Sequence, residues 1–513
     1  MSKLRAVSLF SNCGAGDVGY REAGFRFDVM AELDPRRLDV CLLNHPGAEG
    51  VPGDLRKTWK AVIGKYRARA GQARPALLCA CPPCQGMSSA RSGKGSHDDA
   101  EAGSKDERNL LVTVIANVAL KLMPSLIVVE NVPAFFTRKV HHPKDKKPVS
   151  AANYLITSLA DQYVAFPLIA DLCDFGVPQS RNRAFLTFVR RDLPGLKELL
   201  RIGRTPFPRA THAPDVGNAS PVSLADALAA FALPALDAAT PEAAQAEEYS
   251  GFHSVPVWDE RTYAMVAAIP SGTGRSAWDN DVCHHCGPVE VLPEMVICPK
   301  CSAPLLRPIV RENDGSYRLI KGFKSSYRRM YADRPAATVT TASGHIGSDY
   351  TIHPTQNRLL SPLECSLLQT FPSDFKWGDA FKKLGHTNVR EMIGEAVPPA
   401  FTKLHGEVLY GILKREWARA PMAASDERIT KGWAKLAAAS KKDGRKDPRD
   451  YFDYAKPGHR AALPNKRDRS SAEPERVRRA ITGVRGKRAA VPRGERRPAF
   501  RIPTLRGRPS STR

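Results

Sequence analysis

Residues 4–17 read LRAVSLFSNCGAGD, and this stretch decides the fold. The run LRAVSLF is apolar enough for a strand buried on both faces. It stops at a turn carrying Gly14 and Gly16, after which helical spacing begins. A strand–turn–helix unit of this kind lets a ligand approach the backbone closely, at the partly positive start of a helix. A plain tight turn would use the same glycines, so the reading needs its neighbours. FDVMAEL (27–33) is a second strand ending in Glu32, where a carboxylate can accept hydrogen bonds from a ribose diol. PRRLDVCLLNH (35–45) and NLLVTVIANVALKLM (109–123) have helical spacing, while ALLCACPP (76–83), SLIVVEN (125–131) and RAFLTFVRR (183–191) read as strands. Strands alternating with helices predict an α/β fold, a mostly parallel sheet covered on both faces.

Ligands in such folds sit at the carboxyl ends of the strands, and the chemically distinctive residues lie there. CPPCQG (81–86) puts the Cys84 thiol on a loop stiffened by two prolines, Pro82 and Pro83. A thiol so held suits nucleophilic attack once its thiolate is stabilised. A buried structural cysteine is the commoner alternative, and a Cys81–Cys84 metal pair a third. Cys79 and Cys81 fit strand cysteines. Glu130 and Asn131 end the next strand, which offers an acid in the cleft or a simple cap. Arg181 and Arg183 in QSRNR share one side of an extended segment, as substrate, phosphate or Glu130 contacts or as an edge-strand charge pair. Asp54, in GDL, could receive an adenine amino group at the third strand.

The rest of the chain bounds the answer. It has 513 residues, room for two to four domains at roughly 100–200 each. No apolar run reaches about 18 residues, and the start is too short and polar for a secretory signal. Eleven cysteines, an odd count, argue against a disulfide scaffold and for reduced thiols in a cytoplasmic setting. The net charge is +24, which calls for a polyanionic partner. Residues 421–513 hold 26 Lys and Arg against 10 Asp and Glu. They read as a basic, largely disordered tail in which 426–440 extends a helix. Residues 191–330 lose the strand–helix rhythm and read as a second domain.

In order, FSNCGAGD (10–17), CPPCQG, VVENV (128–132), QSRNR (179–183), RPAATVTT (334–341) and GEAVPPAF (394–401) resemble the motif series of the cytosine-C5 DNA methyltransferase family. The match covers about 4–190 and 327–415. The resemblance implies a Rossmann-like catalytic domain over 1–190, completed by about 385–418, with a target-recognition domain over 191–384. Binding of S-adenosylmethionine would involve Phe10, Cys13, Gly14, Gly16, Glu32, Asp54, Pro82 and Val397. Cys84 would attack C6 of a flipped-out cytosine, with Glu130, Arg181 and Arg183 around the base. The polar stretch 88–105 would close over DNA as a lid. The implied setting is a monomer on duplex DNA in the cytoplasm, on the nucleoid in a prokaryote, with a cognate restriction endonuclease as a partner. A tRNA methyltransferase of the same family and an inactive DNA-binding relative are the rivals. Two positions depart from the family pattern: Asn12 stands where Gly is usual, and Glu395 where Asn is usual.

Cys283, Cys286, Cys298 and Cys301 form CxxC-x11-CxxC. Four thiolates at this spacing read as a closed, structural Zn2+ knuckle, an insertion at 283–301 in the recognition domain. Beside it, KGFKSSYRRMY (321–331) mixes cations with aromatics, as a phosphate-contact strip or a solvated basic face.

Overall fold

The computed structural model describes residues 3–83, 107–140, 148–213, 219–322, 324–418, 421–424 and 426–452. Its centre is a seven-stranded sheet. The first five strands are β1 (Leu4–Leu9), β2 (Phe25–Glu32), β3 (Glu49–Pro52), β4 (Leu77–Ala80) and β5 (Leu126–Asn131). A small hairpin of β6 (Lys139–Val140) and β7 (Val149–Ser150) stands apart from it, and β8 (Tyr163–Asp171) and β9 (Asn182–Arg190) complete the sheet. The order is β3-β2-β1-β4-β5-β9-β8. Helices α1 (Ala15–Glu22), α2 (Pro35–Asn44), α3 (Leu55–Ala70) and α4 (Leu111–Leu122) connect the first five strands, all parallel. β9 runs antiparallel to both β5 and β8, so the sheet is mostly parallel as expected but mixed, with β9 as its one reversed strand. The reason is local: β8 and β9 are joined by 172–181, too short for a crossover helix.

β8 was not legible as a strand because YVAFPLIAD contains Pro167. It lies at the sheet edge, where a missing N–H is tolerated. What covers it shows where the helix expected at 426–440 packs. Helix α12 (Glu427–Lys442), which follows α5 to α11 in the chain, packs on β8 and buries Ile429, Trp433 and Leu436 in the sheet's core. Asp426 caps it, accepting from the Arg428 and Ile429 amides, and Asp443 Oδ2 accepts from the Ser150 amide at 3.0 Å. The charge count averaged over 421–513 hid this apolar stripe. Residues 453–513 lie outside the described residues.

The same core also runs past the boundary expected at 190. After α5 (Ala151–Leu159), helix α6 (Pro194–Arg201) contributes Leu196, Leu199 and Leu200, and Phe207 follows. Then come α7 (Leu224–Phe231) and α8 (Glu260–Ala267), with paired strands β10 (Val282–Cys283) and β11 (Gly287–Pro288), and β12 (Ile309–Arg311) and β13 (Tyr317–Leu319). Helices α9 (Pro362–Leu368) and α10 (Ala380–Glu395) lead to α11 (Pro399–Lys414), which returns to lie along α1. The approach is close enough that a Cβ on Gly19 would sit 2.1 Å from Thr402 Oγ1. Thr402 Oγ1 donates to the Gly16 carbonyl at 2.7 Å.

Candidate active site

The chain leaves β1 through a strained turn. Phe10 and Asn12 take positive φ, 59° and 49°, and Gly14 takes 77°. Gly14 is needed twice, since a Cβ there would lie 2.8 Å from Cys41 Sγ. Its carbonyl accepts from His45 Nε2 at 2.8 Å, and burial draws that imidazole down to about 4, so it stays neutral. The turn opens onto a cavity that is partly open to solvent. Phe10, Gly16 and Val397 line it, the last from the link between α10 and α11.

Glu32 ends β2 as expected, and burial raises its carboxyl. One oxygen accepts from the Asn12 amide at 2.8 Å and the other from the Asp34 amide at 3.3 Å. Cys13 faces the core, fully buried, its thiol pushed up to about 12 by burial. Pro82 is buried and its carbonyl accepts from Asn131 Nδ2 at 2.9 Å, which fastens the start of CPPCQG to the end of β5.

Glu130 stands on the cavity wall with both oxygens engaged. Cys81 Sγ donates to Oε2 at 2.7 Å, and Arg183 Nε lies 3.1 Å from Oε1. Cys84 and the stretch 88–105 lie outside the described residues.

Two of the expected site residues are held by partners within the protein. Arg181 is 1% exposed, and its guanidinium donates to the carbonyls of Val339, Gly394 and Ala396. It fastens the chain's return segment to the sheet, while Arg183 reaches Glu130. Asp54 caps α3, accepting from the Arg56 amide at 2.9 Å and pairing with its guanidinium, which holds the carboxyl below its usual range.

Three features escaped the sequence reading. Cys81 was taken as a strand cysteine, yet its thiol meets Glu130. Asp17 is buried on the cavity wall and accepts from Ser8 Oγ at 2.7 Å, while burial lifts its carboxyl to about 7. Arg37 binds Glu395 at 2.6 Å and Glu391 at 2.7 Å, bridging α2 to the end of α10. No pattern in the sequence pairs positions so far apart, although Glu395 stood out as unusual.

The four knuckle cysteines converge, with all Sγ atoms within 4.8 Å of one another. Tetrahedral zinc–sulfur bonds of ~2.3 Å put sulfurs about 3.8 Å apart, so the cluster could hold a metal ion. The β10–β11 hairpin and a Cys298 amide bond to the Ala303 carbonyl shape it, over an apolar patch with Val289 and Leu305. In the basic strip, Arg329 is 1% exposed and donates to the carbonyls of Val266, Ile269, His353 and Gln356. Its charge does not face a partner, while Lys321 and Lys324 are exposed.

Among the described residues, no helix is long and apolar enough to cross a membrane. The model of the C-5 cytosine-specific DNA methylase family matches residues 4–234 and 278–410. The Type II methyltransferase M1.HgaI of Avibacterium volantium is 27% identical over 415 residues, 77% of this chain and 95% of that protein. The Type II methyltransferase M1.HphI of Haemophilus parahaemolyticus is 25% identical, covering 79% of this chain and 86% of its own. The Entamoeba histolytica methyltransferase EhMeth superposes with a TM-score of 0.42 at 12% identity, over 81% of this chain and 99% of that one.

Proposed function

Because the chain belongs to the C-5 cytosine-specific DNA methylase family, we propose that it methylates cytosine within a particular duplex sequence through a covalent adduct at Cys84. The observation that carries the reading is Glu130, set on the wall of the cavity between Cys81 and Arg183 and beside the start of CPPCQG.

Cytosine C5 is a poor nucleophile. Addition of the Cys84 thiolate to C6 breaks the 5,6 double bond and makes C5 an enamine carbon. Glu130, protonated, donates to N3 and relieves the charge that develops on the ring. Arg183 holds Glu130 in place. Methylated C5 then loses its proton, the C6–sulfur bond breaks, and the thiolate returns. Face-on attack requires the base to leave the stack.

The residues fit S-adenosylmethionine, which supplies an electrophilic methyl group. Phe10 offers a ring for the adenine, and Glu32 offers a carboxylate for the ribose hydroxyls. Val397 lines the same cavity as Phe10. Asp54, spent on Arg56, is a weaker candidate.

The four knuckle cysteines would hold one zinc ion with a structural role, since all four positions are filled by thiolates. Duplex DNA is the substrate. The relatives named as Type II methyltransferases support pairing with a restriction endonuclease.

A duplex carrying 5-fluorocytosine tests the mechanism, because fluorine cannot leave as a proton does. A stable protein–DNA adduct that maps to Cys84 is the expected result. An adduct at another cysteine, or turnover by Cys84→Ser near the wild-type rate, overturns it.

A further inference from the structure

The two departures from the family pattern meet at one place. Asn12 Nδ2 donates to the Met392 carbonyl at 2.9 Å, and its amide donates to Glu32. Glu395, one turn on from Met392, binds Arg37, which also binds Glu391. The turn after β1, the end of β2, the start of α2 and the end of α10 thus close a ring around one corner of the cavity. Glu395 is itself on the cavity wall.

Charge at that corner is unbalanced. Arg37 faces Glu395 and Glu391 and also feels Glu32, so one guanidinium serves three carboxyl groups. The acidic side chains lining the cavity, among the described residues, are Asp17, Glu130 and Glu395, with no Lys or Arg in the lining, while Arg183 and Arg37 pair with Glu130 and Glu395 from outside it. A cavity walled this way favours a cation over a neutral molecule of the same shape.

The cofactor and its product differ by that feature. S-adenosylmethionine carries a positive sulfonium, an ammonium and a carboxylate. Loss of the methyl group leaves a neutral thioether and no net charge. Resting on the reading of this cavity as the cofactor site, we propose that Glu395 is a binding residue that selects the charged cofactor over its demethylated product, with Arg37 positioning it. A neutral Asn, usual at this place in the family, could not exert that charge preference. The selectivity favours product exit after each transfer, because methyl transfer removes the charge the wall prefers.

Calorimetric titration of full-length protein with S-adenosylmethionine and with S-adenosylhomocysteine tests this, using wild type, Glu395→Gln and Arg37→Gln. Glu395→Gln keeps the shape and removes the charge. Its affinity for S-adenosylmethionine is expected to fall about tenfold, with less than a threefold change for the product. Arg37→Gln keeps the carboxylate, so both ligands weaken together and the ratio between them holds or rises. A purely structural latch would make both variants weaken both ligands equally, and that result overturns the proposal. Melting temperatures within a few degrees of wild type identify folded variants, and Glu395→Asn, which restores the usual family residue, repeats the charge removal if Gln is not tolerated. If wild type neither binds the cofactor nor methylates DNA, the reading of the site falls as well. If wild type does both and Glu395→Gln loses the two ligands alike, only this inference fails.

Discussion

The sheet-bearing part of the molecule and the part between α7 and α9 are held together by different means. Around the sheet, long ladders and an apolar core carry the structure, and strands such as β5 are buried along their whole length. In 219–361 the strands are two or three residues long. There, buried guanidiniums replace the ladder. Arg329 donates to four carbonyls and to Asn357 Oδ1, and Arg307 to the carbonyls of Asn280, Leu292, Pro293 and Met295. Arg358 grips Glu364 with two bonds of 2.7 Å, both side chains buried. A ladder spreads its bonds over many residues. A guanidinium concentrates them in one, so a single substitution there removes several at once.

The sharpest way to break this comparison is truncation at residue 420. If α12 is part of the sheet's core, the shortened chain exposes β8 and does not yield soluble, folded protein. Trp433→Ala is the milder form, 1% exposed in the native chain and expected to cost about 3–5 kcal/mol. Urea unfolding measures it. A truncated chain with an unchanged melting temperature would return 421–452 to the tail.

Arg329→Met should come next. It leaves four buried carbonyls without their donor, at a cost of about 3–5 kcal/mol. The loss should be local: amide exchange rises around 266–269 and 353–357, and DNA binding suffers before cofactor binding does. Uniform destabilisation of the sheet would show that the two parts do not differ as argued.

Metal removal addresses the same part more gently. The protein should carry one zinc ion per chain, counted by metal analysis of purified material. Cys298→Ser should lose it and weaken sequence-specific DNA binding more than cofactor binding. Full metal content in Cys283→Ser/Cys298→Ser would rule out the knuckle as its holder.

How much of this was legible follows from the same contrast. β1, β2, β5 and β9 announced themselves as largely apolar runs, because a strand buried on both faces shows few residues to water. The motif residues Glu32 and Glu130 followed from sitting at the ends of those runs. β8 failed because Pro167 disguised it; the helix expected at 426–440 is α12, and only its packing on the sheet went unread, because its apolar stripe lies among lysines. Arg181 reads as a substrate or phosphate contact or an edge-strand charge, and Arg329 as part of a phosphate strip or a solvated basic face, since a sequence shows an arginine's charge and not its acceptors. The Arg37 bridge to Glu395 joins positions 358 apart, which no local pattern encodes.

Asp17 gives a smaller test, inside the sheet-bearing part. Its folded carboxyl is lifted to about 7 by burial, above its ordinary value near 3.8. The folded state therefore binds the proton more tightly than the unfolded state does. That contribution is present in full below the unfolded value and is lost as pH climbs towards 7. Asp17→Asn lacks the titration, so the variant should gain on wild type between pH 5 and pH 8, by about 2 kcal/mol. Parallel stability curves for the two proteins would show that the carboxyl does not titrate there.

The smallest expected effect concerns residues 453–513. They hold 18 Lys and Arg against 5 Asp and Glu, a net +13. We propose that they contribute phosphate contacts and no base reading. Each phosphate neutralised adds roughly 0.9 to the slope of log K against log salt. Only some of these charges can reach one duplex together, so deletion of 453–513 should lower the slope by a few units and leave the methylated sequence unchanged. The cut falls after α12, which spares the covering of β8, and the melting temperature should therefore hold. Salt titrations of both proteins and a methylation map from each decide the matter. An unchanged slope would mean that these residues do not touch DNA, and a protein partner would become the better reading of their charge. An altered target sequence would mean that base-reading contacts extend beyond the recognition domain expected over 191–384.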